Sequence, residues 1–294
     1  MRHNPYLKNR SIFLPLLMRG SASNSVLSPE SALEENNIIG KLAPTVGEEY
    51  TVDSIRITLV APPELSNTLI SCPFKTLMSI TPCTQELFEA VMGFNPSIAR
   101  SKPKAKQKPV EYVTWYDSIL FCNRLSELQG LEPYYLISDI EYHKSARIDS
   151  RSILQANVSI AGGNGFRLPT GDEWEFFAKA GTNNRFSGTD SIEELANYAT
   201  FQPSTPPRPT EPSAVGTLAP NDWWMFDMSG NVWEWCWDLY PEQDEVAIPA
   251  QYYRRRAGGS WLSSDWALDI ANRKFVNGQF PEQDQGFRIC KNAP

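Results

Sequence analysis

Histidine is nearly missing from this chain of 294 residues, which carries only His3 and His143. A metal centre built from three histidines is therefore excluded. Neither histidine stands in an HxD or HxE spacing that would begin a histidine–carboxylate set. Cysteine is sparse too. Cys72, Cys83, Cys122, Cys236 and Cys290 are odd in number and no two have CxxC spacing, which speaks against a disulfide framework and a zinc–thiolate site. No apolar run reaches the length of a membrane span. Positive charge is in deficit: 27 lysines and arginines against 34 acids leave a net −7, which argues against a general nucleic-acid partner. The GxSxG elbow, the P-loop and HExxH are all absent. There is no internal repeat, and no linker splits the chain.

What is present is a globular composition with 12% aromatics, including nine tryptophans. Such side chains bury large areas. Residues 1–45 read as an irregular segment, and 46–294 as one domain. The segment holds Arg2, Lys8 and Arg10, then the apolar run Ile12–Met18 cut short by Arg19. No lipobox cysteine follows, so the run is expected to pack locally. The basic run Lys102 to Lys108 reads as a solvated loop, and Pro203–Pro212 as a proline-rich loop. Gly162-Gly-Asn-Gly165 precedes a strand and reads as a turn. His143 reads as a surface or packing residue. Asp172-Glu173 and Asp244-Glu245 read as helix N-terminal charge and solvated loop.

Ile55, Ile57 and Leu59 alternate with Arg56 and Thr58, the period of a half-buried strand. A first helix is expected from Thr81-Pro82 to Gly93, with Thr81 as cap. A second starts at Thr114, with Asp117 in a capping-box position and Phe121, Leu125 and Leu128 as its apolar stripe. A third starts at Thr170 with Glu173 completing its box, and turns Trp174, Phe177 and Ala178 inward. Helices followed by a loop-rich β region make an α+β domain. Trp233 and Trp235 have the spacing of one strand face, with Trp261 in the same core.

Four ordered segments resemble the formylglycine-generating-enzyme, or sulfatase-modifying-factor, family. They are Pro109–Trp115 with Asp117 and Phe121-Cys-Asn123; Gly165-Phe-Arg-Leu-Pro-Thr-Gly-Asp-Glu-Trp174; Val215-Gly216, Pro220-Asn221 and Asp227-Met-Ser-Gly-Asn-Val-Trp-Glu-Trp235; and Gly258-Gly-Ser-Trp261, Arg273 and Gly286-Phe-Arg288. The resemblance covers roughly residues 50–290. It implies a C-type-lectin-like fold of small twisted antiparallel sheets, two to three helices and much irregular chain.

It also implies what the chain lacks. The family's enzymes hold copper on two cysteines after the GGS motif, and the corresponding places here hold Ser263 and Leu268. Serine is a poor soft-metal ligand and leucine is none. A second branch of the family uses iron on histidines, for which two histidines are too few. No catalytic residues or catalytic cofactor are therefore expected. The family's calcium site falls on the Asp227 and Glu234 side chains and the Gly230 and Val232 carbonyls, so a structural Ca²⁺ is an expectation. The competing reading has Asp227 capping a turn and Glu234 pairing with an arginine.

One branch of the family fits the C-terminal frame: the variable proteins of diversity-generating retroelements, the treponemal surface lipoproteins in particular. There a frame like Arg256–Trp261, Ala271-Asn-Arg273 and Gly286-Phe-Arg288 is fixed, while codons between are mutated at adenines. Such mutagenesis of AAC or AAT codons cannot yield Trp, Lys, Glu, Gln or Met. Leu262 to Asp265 and Leu268 to Ile270 are permitted products, whereas Trp266, Lys274, Gln279 and Glu282 are not. The resemblance implies a ligand-binding display protein at the cell surface, monomeric, with a lipid anchor in its native precursor and a protein or glycan ligand. The binding surface is expected within residues 252–288, from Leu262, Ser263, Ser264, Asp265, Trp266, Leu268, Asp269, Ile270, Phe275 and Asn277. Trp266 and Phe275 would be its aromatic anchors. The alternatives are a metal-dependent enzyme of the family's other branches and a fixed protein-interaction module.

Overall fold

Thr45–Val52 (β1) and Ile55–Ala61 (β2) form a hairpin whose inner residues Ile57, Leu59 and Val60 are buried. The computed structural model describes residues 44–63, 75–240 and 250–294. Apart from its last two residues, the expected irregular segment 1–45 lies outside them, as do Cys72, His3 and Asp244-Glu245. Thr45 already belongs to β1. Thr76–Ser79 (β3) adds to β2, and Cys290–Asn292 (β10), from the end of the chain, adds to β3. The first sheet thus runs β1-β2-β3-β10.

Three α-helices follow the first three strands. Gln85–Met92 (α1) is capped by Thr84, whose side chain accepts the Leu87 N–H, and closed by Gly93 at φ 78°. The expected start at Thr81 is too early, for a reason outside the local sequence. The Cys83 N–H donates to the Phe287 carbonyl and the Cys83 carbonyl accepts the Val110 N–H. Residue 83 is held between two other segments, so the coil can begin only after it. Trp115–Leu128 (α2) starts at Thr114, and Gly171–Lys179 (α3) at Thr170, each with the reciprocal capping box that its sequence announces. Phe121, Leu125, Trp174, Phe177 and Ala178 are buried, but Leu128, in the last turn of α2, is exposed.

Tyr135–Tyr142 (β4) and Ile153–Ile160 (β5) form a separate hairpin. The second large sheet is made of Trp233–Leu239 (β6), Tyr253–Ala257 (β7), Lys274–Asn277 (β8) and Gln285–Gly286 (β9), in the order β8-β7-β6-β9. It is antiparallel except for the short β6–β9 pairing, which is parallel. The fold is α+β with small sheets and much irregular chain, as expected.

The core has three parts. The largest joins β2, α1, α2 and the C-terminal segment through Phe88, Phe121 and Phe287, with Phe88 stacked on Phe121 at 5.6 Å. Trp115 and Trp235 are buried there, and their indole N–H groups donate to the Cys236 and Val113 carbonyls. A second cluster holds Trp174, Phe177, Trp223, Met228 and Cys236. A third, small one holds Phe186, Leu195, Ala199 and Leu268. Of the basic run, Lys102, Lys104 and Lys106 are exposed as expected, while Lys108 is buried and paired with Glu211 at 2.9 Å. His143 is a packing residue: it is buried, and its Nε2 lies 2.8 Å from the Gln279 carbonyl.

Candidate functional site

The C-terminal region begins with a turn that demands glycine. Gly258 and Gly259 have φ 93° and 74°, a region that L side chains rarely adopt. A Cβ at Gly259 would also come within 2.7 Å of Leu268. Ser260 then ties the loop down. Its hydroxyl donates to Asp284 at 2.6 Å and accepts the Leu262 N–H, and its own N–H donates to the Ser263 hydroxyl at 3.0 Å. Burial pushes the Asp284 carboxyl up from its ordinary value, and the Ser260 hydroxyl opposes that shift. The Ser263 carbonyl accepts the Gln202 N–H.

The chain next makes one short 3₁₀ turn, Asp265–Leu268, capped by Ser264 through its backbone conformation alone. This turn decides which side chains face out. Trp266 is 64% exposed, while Leu268 is fully buried among Phe186, Leu195 and Ala199. Ile270 follows it inward into the second core cluster. Leu268 and Ile270 are therefore core residues and are removed from the expected binding surface. Neither helical nor strand periodicity runs through the segment, so the sequence does not mark either residue as inward-facing. Asp269 lies between them, paired with Arg185 at 3.1 Å. Leu262, Ser263, Ser264 and Asp265 are half-buried beside Trp266.

Phe275 and Asn277 lie on β8, outside any periodicity visible beforehand. Phe275 is half-buried edge-on against Tyr240 at 5.2 Å, and the Asn277 side chain accepts the Gln279 N–H. The bond from the Asn272 side chain to the Ala267 carbonyl, 3.1 Å, ties the Trp266 turn to the chain entering β8. The structure thus brings Trp266 and its neighbours close to the start of β8. Sequence reasoning missed the cations of this region: Arg254 and Arg256 on β7, and Lys274 on β8. The signal was available, because an R-x-R strand and a W-x-W-x-W strand each carry one face at a period of two.

The expected calcium ligands are arranged otherwise. Both Glu234 carboxylate oxygens are engaged by Arg288, at 2.6 and 2.8 Å, and one also accepts the Trp174 indole N–H at 2.7 Å. Glu234 and Arg288 are buried almost completely, so each neutralises the other. Asp227 accepts the Gly216 N–H at 2.8 Å and the Asn231 side-chain amide at 3.2 Å. Burial pushes its carboxyl up to about 6. Among the described residues no three His, Cys, Asp or Glu side chains come together as a metal site. With Glu234 committed to a guanidinium, the set Asp227, Gly230, Val232 and Glu234 does not fit a divalent cation as arranged, and the turn-cap and ion-pair reading describes it. Ser263 and Leu268, which the resemblance sets at the copper-binding places, carry a half-buried hydroxyl and a buried aliphatic side chain.

This fold, with its GGSW turn and buried GFR arginine, is that of the sulfatase-modifying-factor class. The chain belongs to that family: residues 55–293 match the model of the sulfatase-modifying factor enzyme 1-like domain. It is 35% identical over 225 residues to a protein named chaperone protein LppX from Paenibacillus barcinonensis, covering 71% of this chain and 77% of that one. It is 28% identical over 141 residues to the inactive C-alpha-formylglycine-generating enzyme 2 of Bos taurus, covering 44% of this chain and 45% of that one. Among solved structures, Treponema denticola variable protein 1 superposes with a TM-score of 0.68 at 30% identity, over 84% of this chain and 99% of that one.

Proposed function

We propose that the chain is a non-catalytic, ligand-binding display protein whose surface lies within residues 252–288. The observation that carries this reading is the division of labour in that region. The frame residues Gly258 to Trp261 and Gly286 to Arg288 are buried, while Trp266 between them is 64% exposed at the end of a loop fixed by Ser260 and Asp284. A large exposed indole on a pinned loop is suited to an interface anchor. The likeness to a variable protein and to a relative named inactive supports the same reading, as does the absence of a thiol at Ser263 and Leu268. The ligand is a protein or glycan, met at the cell surface.

The test is a selection from a random dodecapeptide display library on the immobilised chain, with every binder re-measured on Trp266→Ala. Binders that lose at least tenfold in affinity on the variant, at unchanged thermal unfolding, are expected. A set of binders indifferent to Trp266 would overturn the reading.

A second reading, a fixed protein-interaction module, is favoured by the 35% identity to a protein named a chaperone. Sequencing the gene's 3′ end and its flank across clonal isolates separates the two. A near-repeat differing at adenines, matched to the codons for residues 252–288, marks the diversified surface. An invariant 3′ end without a repeat marks the fixed module.

A further inference from the structure

On β6, Trp233, Trp235 and Trp237 share one face of the second sheet by their spacing of two. On β7, Arg256 lies opposite Trp235 and, on its other side, opposite Lys274 of β8, while Arg254 lies opposite Val276. One face therefore carries a tryptophan stripe and, beside it, Arg254, Arg256 and Lys274. The contacts bear this out. The Arg256 guanidinium sits 4.6 Å from the Trp233 ring centre, and the Lys274 ammonium sits 5.4 Å from the same ring. The Arg254 guanidinium lies 3.9 Å over Trp115 and 5.9 Å from Trp237. Arg255, between the two, points the other way to Glu175 on α3.

Two cations of the strip lack a carboxylate partner among the described residues. Arg167, Arg255, Arg256 and Arg288, the arginines buried most deeply, each have a carboxylate partner. Arg254 and Lys274 have none within ion-pair distance among the described residues. Stacking on indole holds a cation in place without neutralising it. For Arg254 the environment is unfavourable to its charge, since burial lowers its hold on the proton. A charge held against a rigid ring, with no carboxylate beside it among the described residues and for Arg254 only the Tyr116 side chain as a polar partner, is prepared for an external anion. Two further features specify which kind. β8 is the outer strand of its sheet, with no neighbouring strand on its other side among the described residues, so an extended polypeptide can add to it. Trp266 stands close by, through the tie between Asn272 and Ala267.

We infer that the face formed by Lys274 and Arg254, beside the Arg256 that Glu282 already neutralises, with the free edge of β8, takes an acidic polypeptide segment whose apolar residue packs on Trp266. This deepens the proposed function and rests on it. The net charge of −7 repels such a partner at long range, so affinity must come from contact. Measurements therefore belong at about 0.15 M salt, where the screening length is about 8 Å.

The experiment uses the full chain and two fluorescein-labelled dodecapeptides, one alternating Glu and Thr, the other alternating Gln and Thr, read by fluorescence anisotropy. The Glu peptide is expected to bind at least tenfold more tightly than the Gln peptide. Lys274→Gln, an exposed position, is expected to weaken the Glu peptide up to about fivefold at unchanged unfolding temperature. Arg254→Gln should weaken it too, but because Arg254 packs on the buried Trp115 ring its affinity is compared only at a temperature where the variant is folded, and Lys274→Gln remains the deciding variant. Equal affinity for the two peptides overturns the inference, as do insensitivity to Lys274→Gln and tighter binding of a sulfated heparin hexasaccharide. Failure here is distinguishable from failure of the proposed function: library peptides that need Trp266 yet show no enrichment in Asp and Glu would sink this inference and leave that reading standing.

Discussion

Glu111 is held inside the fold with one carboxylate oxygen accepting the Ala99 N–H at 2.9 Å and the other without a hydrogen-bond partner among the described residues. Burial pushes its carboxyl up to about 7 from an ordinary 4.5, against the opposing pull of the backbone donors and Arg100. Because the folded value lies above the unfolded one, this residue's contribution to stability is full below about pH 4.5 and is lost as pH rises through about 7. The shift corresponds to about 3 kcal/mol. Glu111→Gln stays neutral throughout, so the stability of the variant relative to the parent should climb by about that amount between pH 4.5 and 7.5, measured by urea unfolding. Parallel pH profiles would contradict it. Glu234 is a different case, because its charge is matched by Arg288. Glu234→Gln leaves Arg288 buried without its counter-ion, which costs about 3–5 kcal/mol. If the pair replaces a cation, added calcium or a chelator should leave the parent's unfolding temperature unchanged. A rise of several degrees with calcium would restore the metal reading.

Elements whose signals are local were legible in the sequence, and those whose signals are not were missed. Thr170 and Glu173 lie three residues apart, and the structure forms the reciprocal bonds that this spacing allows. Thr114 and Asp117 behave alike. In contrast, α1 starts three residues later than Thr81, because residue 83 is claimed by Phe287 and Val110, which are distant in sequence. The β4–β5 hairpin has only partial burial on both strands, and its alternation is blurred by register shifts near Ser138 and Glu141. The site shows the same limit: Trp266 could be singled out as an aromatic in an unpatterned loop, but the inward turn of Leu268 depends on core residues near positions 186–199. Thr170→Ala removes only the cap and should cost about 1 kcal/mol. Glu173→Ala should cost clearly more, since it also strips Arg167 of its carboxylate at 2.7 Å. Equal losses in thermal unfolding would show that the Arg167 pair adds nothing beyond the cap.

At the scale of the whole molecule, the last ten residues join both large sheets. Gln285–Gly286 pair with β6 in the second sheet, Phe287 enters the largest core, and Cys290–Asn292 complete the first sheet against β3. The final strand is tied by side chains as well. Lys291 reaches Glu48 at 2.6 Å, Asn292 accepts from Arg167 at 2.8 and 3.0 Å, and the Ala293 N–H donates to the Lys75 carbonyl. These contacts join residues 125 to 243 positions apart in the chain. The rigid frame under Trp266 depends on that closure, since Asp284, which pins Ser260, directly precedes β9. A chain ending at Ile289 loses β10, exposes β3 as an edge, and leaves Arg167 without Asn292. Its unfolding temperature should fall by at least about 10 °C, given about 2–4 °C per kcal/mol for a domain of this size. Calorimetry on the parent and the shortened chain reads this directly. An unchanged transition would mean that the first sheet stands without its last strand, and that the C-terminal segment anchors the proposed binding surface through β9 and Phe287 alone.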